Sequence, residues 1–246
     1  MRRLVLGMLA LTTLLGGMAT VAPAAAAGDD VAAIIQEFTD ARAEFMKAYR
    51  AATEEERKDL YPAQYPKAET YAPRLMQLAI DNPDAESTLT ALSWIVTNCQ
   101  QGREKKVATK ILIEQHIDAD ALGAVCESMQ YTTTKDTVET LTRILETSSN
   151  RSVQGKACFS LANVKNRMGD TAAAEKLFER VVADYADITT RRGTLGASAE
   201  GFLFEARHLS PGKECPDISG EDIDGVAFNL SDYEGKVVFL GFWGHW

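Results

Sequence analysis

Several kinds of chemistry are missing from this sequence. It has three histidines and four cysteines in 246 residues, no two cysteines in a C-x-x-C pair, no H-E-x-x-H run and no glycine-rich phosphate loop. These absences remove the common zinc-hydrolase and nucleotide-binding readings, and neither a metal site nor a cofactor is predicted. A stripe of Lys and Arg interleaved with aromatics is also absent. With 26 basic against 35 acidic residues, a net charge of −9 and a pI near 5.0, the chain repels phosphate backbones, so nucleic acid is not an expected partner. Beyond the N-terminus no apolar run is long enough to span a bilayer. What is present is ordinary for a folded protein: 46% hydrophobic and 25% charged residues, enough to bury a core in one or two domains.

The N-terminus reads as a targeting segment. Arg2-Arg3 precede an apolar run from Leu4 to about Leu15, and Ala24-Ala25-Ala26-Ala27 stand before Gly28-Asp29-Asp30. This is the order of a secretory signal peptide, expected to occupy 1–27. Its removal takes away Arg2 and Arg3 and leaves a more acidic chain. The expected location is therefore outside the cytoplasm, periplasmic or otherwise extracytoplasmic. Such a compartment is oxidising and permits disulfides, yet the cysteines do not look like a framework. Cys99, Cys126 and Cys158 lie far apart in helical patterns and are expected to be small buried apolar residues. Four cysteines allow three pairings, and spacing does not choose among them.

From 28 to 209 the chain is rich in Ala, Leu, Glu, Lys and Gln, with apolar residues recurring at three and four, which predicts a mostly α-helical region. The clearest helix runs from Thr171 to Tyr185. Ala174, Leu177, Phe178, Val181, Val182 and Tyr185 share one face, and Asp170 is its expected N-cap. Asp84 and Thr134 give similar start signals, while Pro62, Pro66 and Gly102 mark expected breaks. Further helices are expected over 85–100, 103–117, 135–148 and 191–208. The carboxylates Glu54, Glu55 and Glu56 read as a solvated helix face, and His116 and His208 as surface or capping residues.

Within this region, Leu161-Ala162, Gly169-Asp170, Ala174 and Phe178 have the spacing of a tetratricopeptide-type helical hairpin, which 152–186 resembles. Small Ala162 and Ala174 would let two helices approach, and Phe178 would fill the contact. One helix pair does not bury its apolar face alone, so neighbouring helices are expected to extend the stack into irregular hairpins. That stack could bind a protein partner or serve as a scaffold for a domain beside it.

At Pro211 the pattern changes to turn residues and short extended runs. Ile223 and Val226-Ala227-Phe228 flank Asp224-Gly225, which predicts a hairpin, and Leu230 to Lys236 form a turn. Val237 to Phe242 is apolar on both alternating faces, the pattern of a strand buried inside a sheet. Gly212-Lys213-Glu214-Cys215-Pro216, Asp224-Gly225, Leu230 to Val238, and Phe242-Trp243-Gly244-His245-Trp246 resemble the start of a thioredoxin-like domain. The branch is that of alkyl hydroperoxide reductase/thiol-specific antioxidant (redoxin) and TlpA-like proteins. Residues 211–246 are accordingly expected to be the N-terminal β part of an incomplete thioredoxin-like α/β domain. Cys215 stands where the branch has a small Ala, and Gly241 where thioredoxins proper carry a buried Asp.

The resemblance implies a thiol-disulfide oxidoreductase or thiol peroxidase that needs no cofactor. Protein disulfides or peroxide would be its substrate, and a membrane-associated protein could donate electrons. No catalytic residue lies in the chain, because the nucleophilic Cys is expected immediately after Trp246. Phe242, Trp243, Gly244, His245 and Trp246 would frame that site, the two Trp as apolar walls. His245 would be either an exposed loop residue, or a base or pKa-lowering cation beside the thiol. Three readings of the end at Trp246 stay open: a fragment, a degenerate protein that keeps only the helical function as a non-enzymatic adaptor, or a frame ended at a selenocysteine codon.

Overall fold

In the computed structural model the described residues are 24–191, 193–214, 216–241 and 243–244. They are mostly helical, as the composition and periodicity predict. The chain divides into two compact units, one up to Ile111 and one from Leu112 onward. No described helix is long and apolar enough to cross a membrane. The expected signal peptide falls mainly on residues outside the described ones.

The first unit begins with α1 (Ala24–Ala51), α2 (Glu54–Gln64), α3 (Ala72–Asp81) and α4 (Glu86–Asn98). Val31, Ile34, Phe38 and Phe45 form the buried stripe of α1. It packs on α3, which contributes Ala72, Leu75, Met76 and Ala79, and on α4, which contributes Ala91, Leu92, Ile95 and Val96. Each set recurs at three and four because that spacing returns to one side of a helix. Thr53 starts α2 through a capping box: its Oγ1 accepts from the Glu56 amide at 3.4 Å, and its own amide donates to Glu56 Oε2 at 2.8 Å. Glu56 is thus a cap as well as a solvated carboxylate. Two expectations are corrected here. Asp84 does not cap α4, whose N-cap is Ala85 without a side-chain bond. Pro62 lies inside α2, near its end, where few downstream turns remain to be disturbed.

The division between the units falls within α5 (Arg103–Gln115), which follows Gly102 at φ 120°. The second unit continues with α6 (Leu122–Met129), α7 (Lys135–Thr147), α8 (Arg151–Arg167) and α9 (Thr171–Asp184). Next come the paired strands β1 (Thr189–Thr190) and β2 (Gly193–Thr194), and α10 (Leu195–Phe204), which ends in a π turn over Glu205–Leu209. The helix expected over 191–208 therefore starts later, capped by Thr194, whose Oγ1 accepts from the Ala197 amide at 3.2 Å.

Helix α8 is the centre of this unit. It packs against α6, α7, α9 and α10 and is buried on most sides, through Val153, Ala157, Cys158, Leu161, Ala162 and Val164. Asn150 caps it, accepting from the amides of Ser152 and Val153 at 3.0 and 3.3 Å. Asp170 caps α9 as predicted, at 3.4 Å from the Ala173 amide, and Thr134 caps α7 at 3.2 Å from the Thr137 amide. The α8–α9 hairpin turns at Gly169, φ 82°, with Ala162, Ala174 and Phe178 buried in its contact.

From Pro211 most of the described residues are exposed. β3 (Ser219–Glu221) and β4 (Ala227–Asn229) pair antiparallel, Ser219 opposite Asn229 and Glu221 opposite Ala227, and Gly225 turns at φ 78°. The predicted hairpin is present. The predicted buried strand over 237–242 is not: among its described residues, Val237–Gly241, no strand forms, and Phe239 is 97% exposed. An apolar run becomes a buried strand only when other strands supply hydrogen bonds and other side chains cover it, and the described residues supply neither.

A contrast between two glycines tests the close packing of α8. A Cβ on Gly155 would meet Ile188 and Tyr185, whereas one on Gly201 in α10 would meet nothing within 4 Å. Gly155→Ala is expected to destabilise the chain by about 1–3 kcal/mol through overpacking. Gly201→Ala should be neutral or stabilising by about 0.5–1 kcal/mol. Urea unfolding of the full chain measures both.

Candidate functional site

The C-terminal segment is held by side-chain acceptors of short polar residues. Asp222 organises the turn, its Oδ1 accepting from the amides of Asp224 and Val226, both at 2.9 Å. Asp232 Oδ2 accepts from the Asn229 amide at 2.8 Å, at the start of a 3₁₀ turn over Leu230–Tyr233. Asp217 joins the two ends of the hairpin. Its carboxylate accepts from the Ser231 amide at 2.9 Å and from Ser231 Oγ at 2.8 Å, while the Leu230 amide donates to the Ile218 carbonyl at 2.9 Å. The bond from the Ser231 amide holds the Asp217 carboxyl below the usual value of 3.8, with the Ser231 hydroxyl acting in the same direction.

The five residues expected to frame a site are at the end of this segment. Trp243 is 91% exposed and Gly244 is exposed. Phe242, His245 and Trp246 lie outside the described residues. Neither of two clefts in the helical part includes any of the five. One cleft, of about 180 Å³, has stacked Phe178 and Phe202 on its floor and Glu175 and Glu205 at its rim. Glu175 is engaged by Arg207 at 2.7 Å.

The described thiols are ill suited to nucleophilic work. Cys99, Cys126 and Cys158 are free and buried. Burial pushes the Cys99 thiol up to about 11, helped by nearby Glu69 and Glu104 and opposed by Lys105. It raises Cys126 to about 12 and Cys158 to about 11. A reactive cysteine needs a lowered pKa and access, and these have neither. Cys215 is outside the described residues. Among those described, no group of three or more His, Cys, Asp or Glu could hold a metal ion. His116 is half-buried and its backbone amide donates to the Leu112 carbonyl at the end of α5; His208 is exposed, its ring 4.9 Å from that of Phe204.

Sequence reading missed Asp217 as the clamp of the hairpin. Its signal is an Asp just before one strand and a Ser just after the other, a pairing that only the hairpin register brings together.

The class of protein is thus a mostly α-helical chain that ends in an exposed β-hairpin segment. Its relatives are more particular. The thiol-disulfide oxidoreductase ResA of Bacillus anthracis is 40% identical over 47 residues, 19% of this chain and 27% of that protein. The ResA protein of Geobacillus kaustophilus is 44% identical over 45 residues, 18% and 26% of the two chains. That of Bacillus subtilis is 40% identical over 53 residues, 21% and 30%. The chain spans about a quarter to a third of the length of the curated relatives it matches. No family model and no solved structure matches it.

Two measurements check this chemistry. Because folding lowers the Asp217 carboxyl, its contribution to the hairpin is fully present above the unfolded value of 3.8 and lost as pH falls through the lower folded value. The Ser231 amide resonance should move in that acid window, and Asp217→Ala should abolish the transition. In a Cys215→Ser background, alkylation of the native chain at pH 8 should be slower than that of the unfolded chain by about a hundredfold or more, as buried thiols of raised pKa require.

Proposed function

We propose that this chain carries the opening of a thioredoxin-like thiol-disulfide oxidoreductase domain, attached to a helical region over 28–209 and exported by the signal segment 1–27. The observation that carries this reading is the short likeness to the ResA proteins, at 40–44% identity, together with the order of motifs between Gly212 and Trp246. The curated relatives are thiol-disulfide oxidoreductases by name, and an extracytoplasmic location agrees with the N-terminal grammar.

In this reading Phe242, Trp243, Gly244, His245 and Trp246 lead directly to the nucleophile, a Cys or selenocysteine in the next position and outside this sequence. A thiolate at a helix N-terminus is stabilised by unpaired amides and the helix dipole. It attacks one sulfur of a protein disulfide and releases the other as a thiolate. A second thiol of the C-x-x-C pair then attacks the mixed disulfide, so the substrate leaves as a dithiol and the enzyme as a disulfide. A membrane-associated dithiol donor would return the two electrons. The buried thiols of Cys99, Cys126 and Cys158 take no part.

Sequencing the coding DNA through the codon after Trp246, and on for about a hundred more, tests the reading at the length of such a domain. A Cys codon or UGA followed in frame by x-x-Cys supports it. The chain completed with Cys should then speed the reduction of insulin disulfides by dithiothreitol, and Ser at that position should remove the effect. A downstream frame that encodes nothing thioredoxin-like, or a completed chain inactive toward disulfides, overturns it.

A further inference from the structure

The end of α10 is wound more loosely than its own sequence requires. From Phe202 to Ser210 there is no Gly or Pro, and Glu205, Ala206, Arg207 and Leu209 are good helix formers. Nothing local prevents α10 from continuing as an α-helix, yet Glu205–Leu209 form a π turn, a rare conformation. The cause lies in a contact made from outside α10.

That contact is on Arg207. Its Nε lies 2.7 Å from Glu175 Oε1, and its Nη2 lies 2.5 Å from Glu179 Oε1. The two carboxylates are four residues apart on α9 and so share one face. The winding brings the guanidinium to them. Leu195, Ala199 and Leu203 are buried at every fourth position of α10, and Arg207 is next in that row. In an α-helix of about 3.6 residues per turn, each fourth residue drifts about 40° further round the axis. An i→i+5 turn winds more slowly, so it cancels the drift and returns Arg207 beneath Leu203, within reach of α9.

The rest of α10 is anchored without Arg207. The Phe202 ring stacks on Phe178 of α9 at 4.8 Å, and Leu203 is buried. At the other end of the turn, Ser210 Oγ donates to the Ala206 carbonyl at 3.0 Å, and the backbone leaves the helix in an extended conformation at ψ 149°. Arg207, Glu175 and Glu179 are all partly exposed, so their attraction is open to screening by salt.

We propose that Arg207 with Glu175 and Glu179 forms a salt-sensitive joint at the end of α10. Closed, the clamp holds Glu205–Leu209 in the π turn. Opened, the same residues rewind as α-helix, which changes the direction in which the chain leaves for the C-terminal hairpin segment. Arg207 is a positioning residue in this device. The joint is built from residues of α9 and α10 alone, and its test is separate from that of the redox reading of 211–246.

The test uses the full chain, deuterated and isotope-labelled. Nuclear couplings across hydrogen bonds show which carbonyl each amide at the end of α10 uses. At low salt the amides that close the turn should couple to carbonyls five residues back. In Arg207→Gln, and in Glu175→Gln with Glu179→Gln, they should couple four residues back. The unsubstituted chain should move the same way in about 1 M NaCl, where the screening length is about 3 Å. Arg207→Lys, a point charge able to engage one carboxylate, should fall between. The methyl resonances of Ala199 and Leu203 should stay in place throughout. Couplings five residues back that persist in Arg207→Gln overturn the proposal, as does a salt response equally large in that variant. Loss of both kinds of coupling while the anchor holds overturns the rewinding. Movement of Ala199 and Leu203 along with the turn also overturns the joint, because Arg207 would then support the whole helix.

Discussion

The second unit depends on the close approach of α8 to everything around it. A helix surrounded on most sides must be apolar nearly all round and narrow where its neighbours press closest. Gly155 supplies the narrowest point, where Tyr185 and Ile188 occupy the space a side chain would need. Gly196 does the same for α10 against Ala186, whose Cβ lies 2.7 Å from where a Cβ of Gly196 would sit. Cys158 and Ala162 are buried on α8 for the same reason of size. The high thiol pKa of Cys158 follows from this packing, so one constraint both builds the core and removes that sulfur from redox chemistry.

The C-terminal segment is organised by a different force. Its hairpin holds together through Asp217, Asp222 and Asp232, each accepting from backbone amides, and it buries little apolar surface. Ile223, Val237 and Phe239 are essentially fully exposed. Local polar bonds are enough to set a turn and a register, since they join residues close in sequence. They supply none of the cohesion that an apolar strand obtains from a sheet. The likeness to thiol-disulfide oxidoreductases covers 45–53 residues, about a fifth of the chain.

Much of the helical architecture could be read directly. The faces of α9 and the caps Asp170 and Thr134 follow from residue type and spacing, because a cap is a contact between residues three apart. Thr53 and Asn150 are caps of the same kind that the sequence analysis did not name. Asp84 misled because a Pro-Asp pair marks a turn as readily as a helix start. Of the five expected framing residues, three lie outside the described residues, and Trp243 and Gly244 are exposed.

The sequence by itself determined that this chain is acidic, mostly helical up to about residue 209, and changes to turns and extended runs after Pro211. Those properties rest on local periodicity, capping and turn chemistry, which act over a few residues. Only the tertiary structure decided that α8 is the central helix, that Asp217 meets Ser231, and that 237–241 is exposed where the pattern predicts a covered strand. Each of these depends on which distant segments come together. Burial, and with it a thiol's pKa or a strand's stability, is a property of those neighbours and not of the residue itself.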